Sequence, residues 1–202
     1  MNSQLLSGGN VQYLLTLPQS MALSFEEVEK KPRPKWFAIS DPANGNIGSG
    51  GATCRVLINA HRQLGNDCDF FEWLKTSQKL VIHGGGLSRR LPAYSSVGKP
   101  LMPVPVFRWS RGQRLDQTLL DLQVLEYEKI FQQASSCYRV LIASGDVLLK
   151  VQGKLTNLPE VDVLCLGIRM PPERAKDFGV FFAPRTAPEE LAFTLQKPTA
   201  SK

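Results

Sequence analysis

A short apolar run, KLVIH at residues 79–83, stops abruptly at three consecutive glycines, Gly84-Gly85-Gly86. So short a run with so sharp an end reads as a strand buried on both faces, as parallel-sheet strands are. Two similar runs follow, YRVLIASGD at 138–146 and VDVLCLGIR at 161–169. Between the first and second lies RLDQTLLDLQVLEYEKIFQQAS, in which Leu115, Leu119, Leu122, Leu125 and Ile130 recur at helical spacing. Strand, loop, helix, strand is the order of a βαβ unit. The expected class is therefore α/β, a mostly parallel sheet with flanking helices and ligands at the carboxyl ends of its strands.

Elsewhere the pattern is weaker. Residues 1–20 read as a weakly ordered tail. Ser24-Phe25-Glu26-Glu27 then offers a capping box for a short helix that Pro32 and Pro34 must end. Trp36 and Phe37 are expected as buried anchors. Residues 40–52 read as turns, with Asp41-Pro42 and Asn44-Gly45 as the strongest signals. DFFEWLK at 69–75 reads as a helical turn with Phe70, Trp73 and Leu74 on one side. Downstream, Pro172–Asp177 suits a brief helix opened by proline and closed before Gly179, and GVFFAP and LAFTLQKP suit strands. This divides the chain into an N-terminal extension, 1–76, packing on a core domain, 77–202.

Composition excludes several classes. With 202 residues, 43% hydrophobic and 21% charged, the chain is long enough for one domain with a real core. The net charge of +6 favours an anionic partner, but the basic residues are scattered rather than gathered into a track for a polynucleotide, so small phosphorylated ligands fit better. Cys54, Cys68, Cys137 and Cys165 show no CxxC pairing and no metal-ligand spacing with His61 or His83, which argues against zinc. The first 20 residues lack a basic start and an unbroken apolar run, so no signal peptide is expected. No stretch reaches the roughly 20 apolar residues of a membrane span. The expectation is a cytoplasmic protein that binds neither nucleic acid nor membrane.

The segment HGGGLSRRLPAYSSVGK, 83–99, concentrates chemistry. Glycines let backbone amides close on phosphate oxygens without a β-carbon in the way. Arg89 and Lys99 would neutralise charge on a phosphoryl group under attack, the one as a planar fork, the other as a movable point charge. The bland alternative is a solvated loop. A second cluster, Gly48-Ser49-Gly50-Gly51 in NIGSGGAT, lacks the paired serines of a sugar-kinase loop and the G-x-x-x-x-G-K-[ST] of a P-loop. It either packs beside the first loop or is a structural turn.

The 83–99 segment resembles the signature of sugar-phosphate nucleotidyltransferases, G-x-G-[ST]-R-x-x-P followed ten residues after the Arg by a Lys and usually Pro-Leu. Gly85, Ser88, Arg89, Pro92, Lys99, Pro100 and Leu101 fall at those positions. Leu87 stands where the second glycine is usual, with Gly86 beside it, and Gly98 replaces the usual Pro before the Lys. GGGLSRRLPAYSSVGK with PLMPVPVFRWSRGQ, SDPANGNIGSGGAT and LIASGDV narrows the resemblance to the guanylyltransferase portion of the L-fucokinase/fucose-1-phosphate guanylyltransferase family, over about Trp36 to Pro198.

The resemblance implies a Rossmann-like, GT-A-like nucleotidyltransferase sheet, here incomplete, and the reaction of GTP with L-fucose 1-phosphate to give GDP-L-fucose and pyrophosphate. It implies Gly85, Gly86 and Ser88 as the nucleotide cradle, Arg89 and Lys99 on the phosphates, and Asp146 holding Mg²⁺. Asp146 alone reads equally as a turn cap. Lys197, in a Gln-Lys-Pro element, and Gly179 resemble sugar-phosphate residues; read plainly, they are a strand-edge lysine and a helix-stop glycine. The family continues beyond that element with further strands of the sugar pocket. The alternative expectation is therefore a catalytically incomplete fragment that folds and binds nucleotide weakly or not at all.

Overall fold

The computed structural model describes residues 10–31, 35–42, 47–63, 68–84, 92–94, 96–104, 106–108, 112–155 and 158–199, with the backbone alone at 94, 106–108 and 112–114. The chain divides into two compact units, Met1–Leu158 and Pro159–Lys202.

The first unit is built on four strands: β1 (Val11–Thr16), β2 (Trp36–Ile39), β3 (Gln78–His83) and β6 (Val140–Ser144). They form one parallel sheet in the order β2-β1-β3-β6. Side chains alternate between its faces. Tyr13, Leu15, Leu80 and Ile82 pack on one side against Phe25 of α1 (Gln19–Glu29) and against Leu120, Tyr127, Ile130 and Phe131 of α4 (Leu119–Gln133). Leu14 and Val81 pack on the other side against Val56 and Ala60 of α2 (Gly48–Arg62) and Trp73 of α3 (Phe70–Thr76). Each fully buried Leu or Val contributes roughly 1.5–3 kcal/mol of transfer free energy. Tyr13 adds a polar tie, its hydroxyl donating to the Glu128 carboxylate of α4; burial first and then Glu128 push that phenol's pKa up. β4 (Val106–Arg108) and β5 (Gly112–Arg114) form a small antiparallel pair between β3 and α4.

The α/β class and the strands KLVIH and YRVLIASGD appear as expected, and several other expectations change. Val11–Thr16 is not tail but a central strand, with Leu14 and Leu15 at 0% exposure. Residues before 77 thus supply half the sheet. The first helix begins after Pro18, and Ser24 lies inside it, donating to Ser20 O at 3.0 Å rather than capping. The turn expected over 40–52 is replaced from Gly48 onward by α2. In α4 the true cap is Thr118 with Asp121, which rotates the buried stripe to Leu120, Gln123, Tyr127 and Ile130. Leu115 precedes the helix at 72% exposure, and Leu125 faces solvent. DFFEWLK does form α3, capped by Asp69. Among the described residues no helix is long and apolar enough to cross a membrane.

In the second unit, Pro172–Asp177 forms a 3₁₀ helix, and β7 (Gly179–Phe182) pairs antiparallel with β8 (Phe193–Gln196). Residues 161–169 form no strand. An apolar run becomes a strand only when another strand satisfies its amides, and here Val163 and Ile168 remain 77% exposed.

At the carboxyl edge of the large sheet the backbone is packed unusually tightly. Gly84 N donates to Thr16 O at 2.8 Å, and Gly145 N to His83 O at 2.9 Å. Pro100 sits against both glycines. A β-carbon on Gly84 would lie 2.6 Å from Pro100 Cδ; one on Gly145 would lie 2.6 Å from Pro100 Cγ and 2.7 Å from His83 O. Gly98, two residues before Pro100, has φ of +87°. Proline, fixed near −65°, cannot adopt that angle, which accounts for glycine where the related signature has proline.

Gly145→Ala is therefore expected to lower unfolding stability by about 1–3 kcal/mol in urea titrations, whereas Gly50→Ala, whose β-carbon meets nothing within 4 Å in the first turn of α2, leaves it unchanged or raises it by up to about 1 kcal/mol. Lys79 makes a separate prediction. Its side chain is fully buried, Nζ donating to Trp73 O at 2.8 Å, Ser77 O at 2.7 Å and Ser77 Oγ at 2.9 Å. Burial, and secondarily Arg139, bring its pKa down to about 8 from the usual 10.5. The unfolded chain then binds the extra proton between those values, so stability rises with pH across that window. Lys79→Met should remove a rise on the order of 2–3 kcal/mol, read by urea unfolding at pH 7.5 and 10.5.

Candidate functional site

The packing at the sheet edge places a charged pair. Lys99 opens a 3₁₀ turn, Lys99–Leu101, whose Pro100 and Leu101 are buried; Leu101 N donates to Gly98 O at 3.1 Å and Met102 N to Lys99 O at 3.2 Å. With Pro100 lodged between Gly84 and Gly145, the Lys99 side chain leaves toward the end of β6. There Nζ meets Asp146 Oδ2 at 2.7 Å. Ser144 Oγ donates to the other carboxylate oxygen, Oδ1, at 2.6 Å. Partial burial opposes ionisation of Asp146, but the hydrogen bonds from Lys99 and Ser144 and the ammonium charge together outweigh it and hold the carboxyl below the usual carboxylate range. The pair is accessible, with side-chain exposures of 29% for Lys99 and 48% for Asp146. In so open a position an ion pair adds little stability to the fold.

Beside it, His83 ends β3. Its Nδ1 lies 3.2 Å from Thr16 Oγ1 and its Nε2 2.8 Å from Thr53 Oγ1. Thr53 has one hydroxyl proton and donates it to Ser49 O at 2.9 Å. His83 Nε2–H must then be the donor to Thr53, leaving Nδ1 to accept from Thr16. Burial pushes the imidazole pKa down, against a smaller opposing pull from Asp41, so the ring is neutral near pH 7. This chain of bonds ties the ends of β1 and β3 to the first turn of α2, where Gly48-Ser49-Gly50-Gly51 lies. The second glycine cluster is thus a helix start tied to the end of β3 through Thr53 and His83, and Arg55 of the same helix donates to Ser40 O just past β2.

Of the residues singled out from sequence, Lys99 and Asp146 are brought together from 47 positions apart. Gly85, Gly86, Ser88 and Arg89 lie outside the described residues. Gly179 and Lys197 belong to the second unit, where Gly179 pairs with Gln196 in the β7–β8 ladder and Lys197 N donates to Phe178 O at 2.8 Å. Lys197 takes a left-handed φ of 49°, and a β-carbon on Gly179 would meet Gln196 Oε1 at 2.9 Å. Sequence reasoning missed Ser144, His83 and Gln123. A glutamine in the middle of an apolar helix stripe is the signal that would have found the last. Among the described residues no three of His, Cys, Asp and Glu gather as a metal cluster.

Comparison with known proteins agrees with the motif. The fucose pyrophosphorylase domain family matches residues 72–202. The L-fucokinase/L-fucose-1-P guanylyltransferase of Bacteroides fragilis is 45% identical over 192 residues, 95% of this chain and 20% of that protein. The bifunctional fucokinase/GDP-fucose pyrophosphorylase of Arabidopsis thaliana is 26% identical over 81% of this chain and 17% of its own length. The fucose-1-phosphate guanylyltransferase of Homo sapiens is 32% identical over 84 residues, 40% of this chain and 13% of its own. The chain thus spans a fifth or less of the length of these relatives. No solved structure matches it. With the Lys99-Pro100 part of its motif seated at the carboxyl ends of β3 and β6, the chain belongs to the fucose pyrophosphorylase family.

Proposed function

We propose that the chain contributes the phosphate-handling half of a guanylyltransferase site, for GTP and a sugar 1-phosphate, taken from the family as fucose 1-phosphate, giving GDP-fucose and pyrophosphate. The observation that carries this reading is the Lys99–Asp146 pair, a cation and a carboxylate 2.7 Å apart at the carboxyl ends of a parallel sheet, where α/β proteins bind ligands. The finer topology proposed is that of a Rossmann-like, GT-A-like nucleotidyltransferase.

The chemistry needs no nucleophile from the protein. A phosphate oxygen of the sugar phosphate attacks the α-phosphorus of GTP in line, and pyrophosphate leaves. The protein's work is orientation and stabilisation of charge. Gly85, Gly86 and Ser88 would cradle the nucleotide, with Arg89 and Lys99 on its phosphates. Gly179 and Lys197 would serve the sugar phosphate. Lys99 is held from behind by Pro100, so its head group swings from Asp146 to a phosphate oxygen without moving the backbone.

Asp146 suits Mg²⁺ in one way only. It offers a single carboxylate, oriented by Ser144 on Oδ1 and free for a cation at Oδ2 only once the Lys99 ammonium has moved to a phosphate. That suits a cation that arrives with the triphosphate and keeps several waters rather than an all-protein cage. Bound there, Mg²⁺ would neutralise phosphate charge as the leaving group departs. Asp146 would hold it, and Ser144 would keep the carboxylate oriented.

A second reading, nucleotide binding without appreciable turnover, is favoured by the exposed apolar side chains of the second unit, among them Val163, Ile168 and Phe193, a surface that a working sugar pocket would cover.

Pyrophosphate release from GTP and fucose 1-phosphate tests the two readings. Turnover that falls roughly 10²–10³-fold in Lys99→Ala supports the first; binding of GTP with no release supports the second. In thermal-shift measurements GTP should stabilise the chain more than ATP does. Stabilisation by ATP alone would end the guanylyl assignment.

A further inference from the structure

Gln123 is fully buried in the apolar stripe of α4, between Leu120 and Tyr127. Its amide nitrogen donates to Ser144 O at 3.3 Å and to Val147 O at 2.7 Å. An amide has two N–H groups, and both go to carbonyls that bracket Asp146. Among the described residues nothing bonds its Oε1. An orphaned buried acceptor is costly, and a leucine would fill an apolar stripe without that cost, so packing alone gives no reason for glutamine.

The turn it holds is also tied by Lys99 and Ser144 at Asp146, by Pro100 against Gly145, and by Val151 N donating to the Glu126 carboxylate. Among the described residues, however, Gln123 alone bonds its carbonyls from α4. His83↔Ser144 is the last register pair of β3 with β6, Gly145 N makes one more bond to His83 O, and residues 147–152 have no regular structure. The same helix also meets the other half of the pair. Leu119 N donates to Met102 O at 2.9 Å, at the end of the Lys99 turn. Leu119 and Gln123 are four residues apart, one above the other on a helix face. One turn of α4 therefore touches both the segment bearing Lys99 and the segment bearing Asp146.

We propose that Gln123 is a positioning residue of the site, and that α4 acts through it as the spacer that keeps the Asp146 turn in register with the Lys99 turn. The proposal rests on the reading of Asp146 as a site carboxylate. Gln117, also buried and also carrying an unbonded Oε1, precedes the cap of α4 and provides a control.

The test uses the 202-residue chain with Gln123→Leu, Gln117→Leu and Asp146→Asn, and with Gln123→Met, unbranched and close in volume, should the leucine variant fail to fold. Two quantities are read: amide hydrogen exchange at Gly145–Leu148, and the dissociation constant of Mg²⁺–GTP by calorimetry. The expected result is faster exchange at that turn and an affinity about tenfold weaker in the Gln123 variants, with Gln117→Leu like wild type in both. Unchanged exchange overturns the proposal. So does faster exchange with unchanged affinity while Asp146→Asn weakens binding, because the amide is then structural only. If Asp146→Asn itself leaves the affinity intact, the reading of Asp146 fails, and the exchange result alone decides whether Gln123 holds the turn.

Discussion

Two missing β-carbons govern the carboxyl edge of this sheet. Because Gly84 and Gly145 present bare backbone, Pro100 can lie against the ends of β3 and β6, and because Pro100 lies there, Lys99 emerges opposite Asp146. A methyl group on either glycine would overlap proline carbons, and interiors packed to crystal density do not absorb such overlaps cheaply. The positive φ of Gly98 completes the seat by turning the chain into it. The charged pair is thus a product of van der Waals packing before it is a product of electrostatics.

The polar groups behind this seat divide their tasks by element. The neutral His83 joins three elements through one hydroxyl on each side, with donor and acceptor roles assigned by the single proton of Thr53. Lys79 lies at the other end of β3 and crosses the Trp73 ring at 4.5 Å while it donates to Trp73 O of α3 and to Ser77 O just after that helix. β3 therefore carries a hydrogen-bonded polar anchor near each end, Lys79 buried and His83 partly so, and only Leu80, Val81 and Ile82 between them. Because β3 is apolar on both faces, its register is held less by which face is buried than by these anchors, and a slip by one residue would unpair both.

How much of this could be read from sequence depended on whether each element advertised its environment. KLVIH and YRVLIASGD are legible because a run of apolar residues ending in glycine has few other uses. Val11–Thr16 is not, because Gln12 and Thr16 make VQYLLT look half-polar although both are buried. Helix α2 is hidden by its first turn, since glycines are among the poorest helix formers and only the following residues pack. VDVLCLGIR misleads in the opposite direction, being strand-like in composition yet without a strand to join. Lys99 and Asp146 are singled out by the family resemblance, but their contact is not legible, because it depends on how Pro100 packs against two glycines distant in sequence.

The all-parallel order β2-β1-β3-β6 also has a kinetic side. No pair of neighbouring strands is joined by a tight hairpin, so each ladder waits on closure of a long crossover, the slow kind of contact in folding. β1, although first in the chain, stays unpaired on its β3 side until residue 78 has been made and has docked, and Asp146 reaches Lys99 only after β6 has added at the edge. An intermediate holding β1, β2 and β3 would already possess most of its apolar core while exposing an open edge at β3, the kind of surface through which a partly folded chain associates with copies of itself.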